Sequence, residues 1–410
     1  MNRPTKFDLS PAKLAVGLRK ITEVLAAELA RPSPIAPEWS DQEWLLAQAV
    51  AAMHGISALL YHKLRWQGPA SWVAFLEAQR HHVEIRHARI LEFLGVLDDE
   101  LRTRAIGAVA LKGVALHGMG VYQPGERPMA DVDLLVHPRD AERTAGLLGS
   151  LGFYESSSSW KERAFSPIES RAGAELGEHA HNDLKIELHE RICERLPLRL
   201  TDVSDLILPK ATHPGINSYP STASLMIHLL LHASGGMACQ SLRVLHLHDL
   251  ALLSRRMTPA DWEDLLRTRA RGRSLRWAWP PLALTARYFP LDIPADVTAA
   301  LRRECPPLLR NLSRRRCISD VSYSYSRIDA FPGIEWSQSA GEMISYARSR
   351  IRPSDAHLAW RAAAAVTDPW AAAAPWSSLS QAQRILRWIV ARPTRPVTLY
   401  AVNAALARTV

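Results

Sequence analysis

Hydrophobic and polar positions change rhythm repeatedly between Gly107 and His189, and each change predicts an element. Gly107 to Leu111 is a short, unbroken apolar run, as expected of a buried strand. Lys112-Gly113 reads as a turn, followed by a short helix, a polar loop and a second strand, Asp131 to Val136. Strand side chains alternate between faces, so Asp131 and Asp133 project to one side, Val132 points to the other, and Leu134 to Val136 complete an apolar run. A further strand covers Asp183 to His189: positions 184, 186 and 188 are apolar, which leaves Lys185, Glu187 and His189 on one face. Between these strands, Pro138 to Leu151 reads as a helix with Leu147, Leu148 and Leu151 spaced for burial, ended by Gly152-Phe153. Ser156 to Ser159 reads as a turn or loose hairpin, and Trp160 to Ser166 as one more strand. The pattern predicts an antiparallel or mixed sheet flanked by helices.

On both sides of this segment the period is helical. Residues 8–30 and 40–66 carry it, the second with Leu45, Ala49, Ala52 and Ile56 on one face, and Pro32, Pro34 and Pro37 mark a linker between them. A long helix runs from Pro69 to about Arg104. After Ser221 come two apolar helices containing His228, His232, His246 and His248, then a helix from Pro259 to Arg269, then helices broken by Pro and Trp. The expected fold class is α+β, divided into a helical N-terminal region (1–104), a core (105–215), a helical domain closing a cleft (216–290) and a helical C-terminal region (291–410).

Composition adds modest limits. A chain of 410 residues is long enough for two or three cores at ~150 residues per domain, and 47% hydrophobic with 22% charged residues is a globular balance. The formal net charge of +9 favours anionic partners such as nucleotides, RNA or an acidic surface, though an arginine- and alanine-rich composition gives the same surplus without them. Cys193, Cys239, Cys305 and Cys317 form no C-x-x-C pair and read as reduced thiols of a cytoplasmic protein. The first twenty residues lack an apolar core and no ~18-residue apolar run occurs, so neither signal peptide nor membrane span is expected. Ser378 to Val410, with Ile385, Leu386, Trp388 and Ile389 among Arg384, Arg387, Arg392 and Arg395, reads as a packed terminal helix pair.

The chemistry concentrates on the face shared by Asp131 and Asp133. Like charges held so close repel, which raises one pKa or calls for a cation, and Mg²⁺ or Mn²⁺ suits paired carboxylate oxygens. Lys112-Gly113, between a strand and a helix, offers backbone N–H groups and an ammonium suited to phosphate oxygens. Arg127, four residues before Asp131, is a second candidate for phosphate, and Lys185 a third.

LKGVAL at 111–116, Tyr122, Arg127-Pro-Met, Asp131-x-Asp133-Leu-Leu-Val and Glu187-Leu-His189 together resemble the uncharacterised bacterial nucleotidyltransferase family of the polymerase-beta-like superfamily, over roughly residues 80–260. The resemblance implies a glycine-containing turn for the nucleotide phosphates at Lys112-Gly113, metal binding by Asp131 and Asp133, and a third carboxylate at Glu187. It also implies a helical domain after the sheet and transfer of an NMP from an NTP to a hydroxyl acceptor, with RNA, protein and small molecules all open as acceptors. In the wider superfamily the turn is often Gly-Gly or Gly-Ser and the third carboxylate more often Asp. Two other classes remain in view: an HD-type metal phosphohydrolase built on His248-Asp249, and a nucleotide-binding scaffold without catalysis. His117, Gly118 and Gly120 do not have the spacing of a dinucleotide fingerprint.

Overall fold

The computed structural model of the chain describes residues 10–169, 176–209, 212–270, 272–355, 358, 379–391 and 393–406. Residues 8–9 of the first expected helix, and Ser378, Arg392 and residues 407–410 of the expected terminal helix pair, lie outside them. Four helices lead into the sheet: α1 (Pro11–Ala30), α2 (Asp41–Met53), α3 (Ser57–Lys63) and α4 (Ala70–Thr103). Local sequence sets their starts. Ser10 accepts from the Lys13 N–H ahead of Pro11, and Ser40 and Glu43 form a reciprocal capping box at α2. The expected helix over 40–66 is broken because Gly55 adopts φ +66°, and α3 leaves α2 at 111°. A Cβ there would also lie 3.1 Å from Leu245, so the break serves packing as well as direction.

The chain continues through β1 (Gly107–Ala110), α5 (Lys112–Gly118), β2 (Asp131–Val136), α6 (Ala141–Ser150), β3 (Phe153–Ser158), β4 (Arg163–Pro167) and β5 (Lys185–His189). A small pair, β6 (Cys193–Arg195) and β7 (Leu200–Asp202), and a short α7 (Ser204–Ile207) precede β8 (Gly215–Asn217). The main sheet has six strands in the order β3-β4-β5-β2-β1-β8, with β2/β5 and β1/β8 parallel and the other neighbours antiparallel. The fold is α+β with a mixed sheet flanked by helices, as the pattern predicts. Pro138–Asp140 forms a separate 3₁₀ turn before α6, where the sequence reads as one helix.

Alternation in the strands divides two cores. Ala108, Ala110, Val132, Leu134, Val136, Ile186 and Leu188 face Ile90, Leu94, Leu97 and Leu101 of α4 and Leu147 and Leu148 of α6. Val109, Leu111 and Leu135, on the opposite face, join a larger core built from α1–α3 and from the helices after the sheet. Those are α8 (Thr222–Ala238), α9 (Val244–Ser254), α10 (Pro259–Ala270), α11 (Trp279–Tyr288), α12 (Ala295–Glu304) and α13 (Pro307–Ser313). Beyond them lie α14 (Ala340–Ile351), α15 (Gln381–Val390) and α16 (Pro396–Leu406); α15 packs on α14, whereas α16 returns to α2. The two ends of the chain thus close one apolar core. Among the described residues no single helix is long and apolar enough to cross a membrane; α2 and α3 together meet that test, but most of α2 is buried in the core.

Candidate active site

Strand register brings the acidic residues together. β2 and β5 pair in parallel with Asp131 opposite Lys185, Asp133 opposite Glu187 and Leu135 opposite His189, so all six side chains share the face turned away from α4. One ligand atom from each of Asp133, Glu187 and His189 lies within 4.8 Å of the others. His189 Nε2 donates to Asp133 Oδ1 at 3.0 Å and lies 3.7 Å from Glu187 Oε2. The Lys112 ammonium reaches the same Asp133 oxygen at 2.6 Å.

These contacts separate the two aspartates electrostatically. Burial alone would raise Asp133, but Lys112 and His189 reverse this and hold it well below the ordinary carboxylate range. Asp131 has no ion pair or hydrogen bond among the described residues, and burial, then Asp133 and Glu187, push it up to about 7. Burial would lower His189, yet its hydrogen bond to Asp133 and the nearby Glu187 carboxylate raise it. Oxygen donors from three carboxylates, opposed by one close ammonium, form a set that fits a hard divalent cation.

Lys112 is held in place at a cost. Its φ of +44° is a left-handed conformation that a glycine adopts freely and that costs an L-residue about 1 kcal/mol. The strained start of α5 aims the ammonium at Asp133. Its N–H is not free for phosphate, because it donates to the Tyr219 hydroxyl at 3.3 Å, which in turn is hydrogen-bonded to His228 Nδ1 at 2.7 Å. Gly113 answers a steric need: a Cβ there would overlap Arg127 Nη1 and lie 2.9 Å from Met129 Cγ. Gly113→Ala should therefore lower unfolding free energy by ~1–3 kcal/mol, the usual range for overpacking, whereas Gly118→Ala, with open space around it, should stay within ~0.5 kcal/mol of the parent. Denaturant titration of both variants checks this; a neutral Gly113→Ala would refute the crowding.

Arg127 and the His-Asp pair explain one another. Arg127 Nε and Nη2 donate to Asp249 Oδ1 and Oδ2 at 2.9 and 2.8 Å, a two-pronged pair buried on both sides. The Tyr122 hydroxyl donates to Asp249 Oδ1 at 2.7 Å and lies 2.9 Å from His248 Nδ1. Burial lowers His248 to about 4, so its ring is neutral; burial would raise Asp249, but Arg127 holds it below the usual range. With both carboxylate oxygens occupied, His248-Asp249 ties α9 to the loop before β2, and neither residue lines the cleft beside the acidic cluster. The metal-phosphohydrolase reading of this pair has no available carboxylate to rest on.

That cleft has a volume of about 360 Å³. Its floor is Asp131, Asp133 and Glu187; Lys112, Gly113 and residues 127–130 form one wall, and Lys161, Glu162 and Glu194 another. Over the floor stand His232, Gly235 and Gly236 of α8 and Arg243, Leu245 and His246 at the start of α9. Of the seven residues expected at the site, six line this cleft; Lys185 stands exposed at the start of β5, outside it. Lys161, Glu162, Glu194 and Arg243 escaped the sequence reading, whereas His232 and His246 stand out in the sequence only as histidines of the two apolar helices. Lys161 and Glu162 sit in a turn with no motif, and Arg243 lies before a helix whose histidines drew attention elsewhere.

A mixed sheet with adjacent acidic strands, capped by helices over a charged cleft, defines the class of protein. Residues 40–290 match the family described as Uncharacterised nucleotidyltransferase, and the chain belongs to that family. Comparison with curated proteins and with solved structures gives no match.

Proposed function

We propose that the protein is a metal-dependent nucleotidyltransferase that moves an NMP from an NTP to a hydroxyl acceptor, with in-line displacement of pyrophosphate, in a site for two Mg²⁺ or Mn²⁺ ions. The observation that carries this reading is Asp131, a recessed carboxylate with no partner among the described residues, pushed up to about 7 beside Asp133 and Glu187 in a member of a nucleotidyltransferase family. Asp131, Asp133 and Glu187 would hold the ions. When bound, divalent ions of this kind neutralise phosphate charge and favour ionisation of the attacking oxygen.

The chain's own groups supply the rest. Lys112 and His189 fix Asp133 from two directions, so its remaining oxygen has one orientation. Glu187, which among the described residues bears only the longer contact to His189, would accept the acceptor's proton as the new O–P bond forms and the bond to pyrophosphate breaks. Arg127 serves the site by joining α9 to the loop before β2, and its contact with Gly113 links that brace to the α5 turn. Neutral His232 and His246, both lowered chiefly by burial, add donors and acceptors over the floor without adding charge.

The test is to incubate the protein with each α-³²P-labelled NTP, Mg²⁺ or Mn²⁺, and cell extract separated into RNA, protein and small-molecule fractions. Label is expected in one fraction and not with Asp131→Asn, which names the acceptor class at once. Unlabelled fractions throughout, with no pyrophosphate released, would overturn the reading.

A further inference from the structure

Four cationic side chains line the cleft among the described residues: Lys112, Arg127, Lys161 and Arg243. Three already have carboxylate partners. Lys112 holds Asp133 at 2.6 Å, Arg127 holds Asp249 at 2.8 Å, and Lys161 holds Glu194 at 2.6 Å. The guanidinium of Arg243 makes no ion pair and no hydrogen bond with any described residue, although the side chain is half-buried against the cleft. A half-buried guanidinium with no hydrogen-bonded acceptor, attracted only at longer range by Asp131 and Glu178, is partly dehydrated, a state that a bound anion relieves.

The backbone that carries Arg243 is fixed on both sides. The Leu242 N–H donates to the Val321 carbonyl at 3.1 Å, and the Val244 N–H to His54 Nδ1 at 3.1 Å. Burial lowers His54 to about 3, so its ring is neutral and can accept at Nδ1; its Nε2 meets Ser324 Oγ at 3.0 Å. The Leu245 N–H donates to the His54 carbonyl at 3.3 Å, and farther along α9 the Arg127–Asp249 pair holds the helix. This support fixes the backbone that carries Arg243 at the cleft, so binding has only the side chain left to order.

Opposite it, among the described residues, Asp131 and Glu162 have no ion-pair partner and Glu187 has only His189 at 3.7 Å. The unpaired charges of the cleft are therefore several carboxylates on one side and one guanidinium on the other. A ligand that satisfies both sets carries cations toward the carboxylates and anionic oxygens toward the arginine. A metal-complexed polyphosphate has that composition.

We infer that Arg243 binds the non-transferred phosphates of the nucleoside triphosphate, an assignment that rests on the nucleotidyl-transfer reading above. Arg243 recognises phosphate and not the base, so the inference sets a pattern across ligands. Lys112, placed against Asp133, is then a partner of the carboxylates rather than the chief phosphate ligand.

Isothermal titration with Mg²⁺ complexes of ATP, GTP, CTP, UTP and inorganic tripolyphosphate tests it in wild type, Arg243→Ala and Arg243→Lys. Arg243→Ala should weaken tripolyphosphate and every NTP that binds by a common factor of about tenfold or more, equivalent to ~1.4 kcal/mol. Arg243→Lys should recover part of the loss, since an ammonium supplies charge but not the planar fork. Mn²⁺ binding without nucleotide, read by electron paramagnetic resonance, should be unchanged or tighter in both variants, which a disrupted fold would not allow. Parental tripolyphosphate affinity in Arg243→Ala would overturn the inference, as would a loss confined to one NTP. Labelled acceptor formed with an unaltered KM in Arg243→Ala would remove the phosphate site and leave nucleotidyl transfer standing. Arg243-dependent NTP binding with no pyrophosphate from the wild type would do the reverse, and no binding of any of the five ligands would remove both.

Discussion

Asp131→Asn is expected to abolish nucleotidyl transfer while leaving the metal-free protein at least as stable as the parent; Asp133→Asn is expected to abolish transfer and to destabilise the protein as well. A loss of ~10³ in turnover, or ~4 kcal/mol in the barrier, is the scale expected when a carboxylate essential to the charge balance is neutralised. The two variants part in stability because their surroundings differ. Asp133 accepts from Lys112 at 2.6 Å and His189 at 3.0 Å, and removing one member of a buried pair typically costs ~3–5 kcal/mol. Asp131 has no partner among the described residues, and burial with Asp133 and Glu187 outweighs the attraction of Lys112 and Arg243, so an amide in its place removes a penalty. Equal destabilisation by both substitutions would contradict this division of labour.

The same contrast has a pH signature. Asp131 is raised to about 7, chiefly by burial and then by Asp133 and Glu187, so the metal-free folded state holds a proton that the unfolded chain releases near pH 4. Its contribution to stability is complete below that lower value and is lost as pH rises through about 7. The difference in unfolding free energy between wild type and Asp131→Asn, measured in EDTA, should therefore move in favour of the variant from pH 5 to pH 8. Added Mn²⁺ should oppose that trend in the wild type, because binding only the folded state stabilises it by mass action. A difference that is flat with pH would remove the unpaired-carboxylate account.

The sequence made β2 and β5 legible because their alternation is strict and each has a fully apolar inner face: Val132, Leu134 and Val136 in one, Ile186 and Leu188 in the other. That pattern also placed Asp131, Asp133 and Glu187 on a common face. Ser156 to Ser159 reads as a turn or loose hairpin although most of it belongs to β3, because only Phe153 of that strand is buried and Tyr-Glu-Ser-Ser-Ser on an edge strand carries no core signal. β8 is three residues held by parallel pairing to β1 and by Asp98, which accepts from the Ile216 N–H at 2.6 Å, and neither interaction leaves a periodic trace. The cleft's upper half was hidden for another reason. Its residues are brought together by the return of α8 and α9 over the sheet, and no local spacing records that Arg243 ends near Asp131 while Arg127 reaches Asp249 across 122 positions.

That long-range pair should be one of the most sensitive points in the molecule. Asp249→Ala leaves the Arg127 guanidinium, itself buried, facing Tyr122 and a space where two charge-assisted bonds were, so a loss of ~3–5 kcal/mol is expected. Asp249→Asn should lose less, because the amide oxygen can still accept once. Arg127→Met alone should be comparably damaging, while Arg127→Met combined with Asp249→Leu should recover a substantial part, since an apolar pair has no uncompensated charge to bury. The measurement is denaturant unfolding of the four variants, with Mn²⁺ binding recorded under conditions where each is folded. If Asp249 is a brace, stability falls and Mn²⁺ affinity persists in the folded fraction, because Asp131, Asp133 and Glu187 are untouched. If Asp249→Asn instead kept full stability and lost Mn²⁺, the metal would belong to the His248-Asp249 pair, and the acidic strands would have to be given some other role.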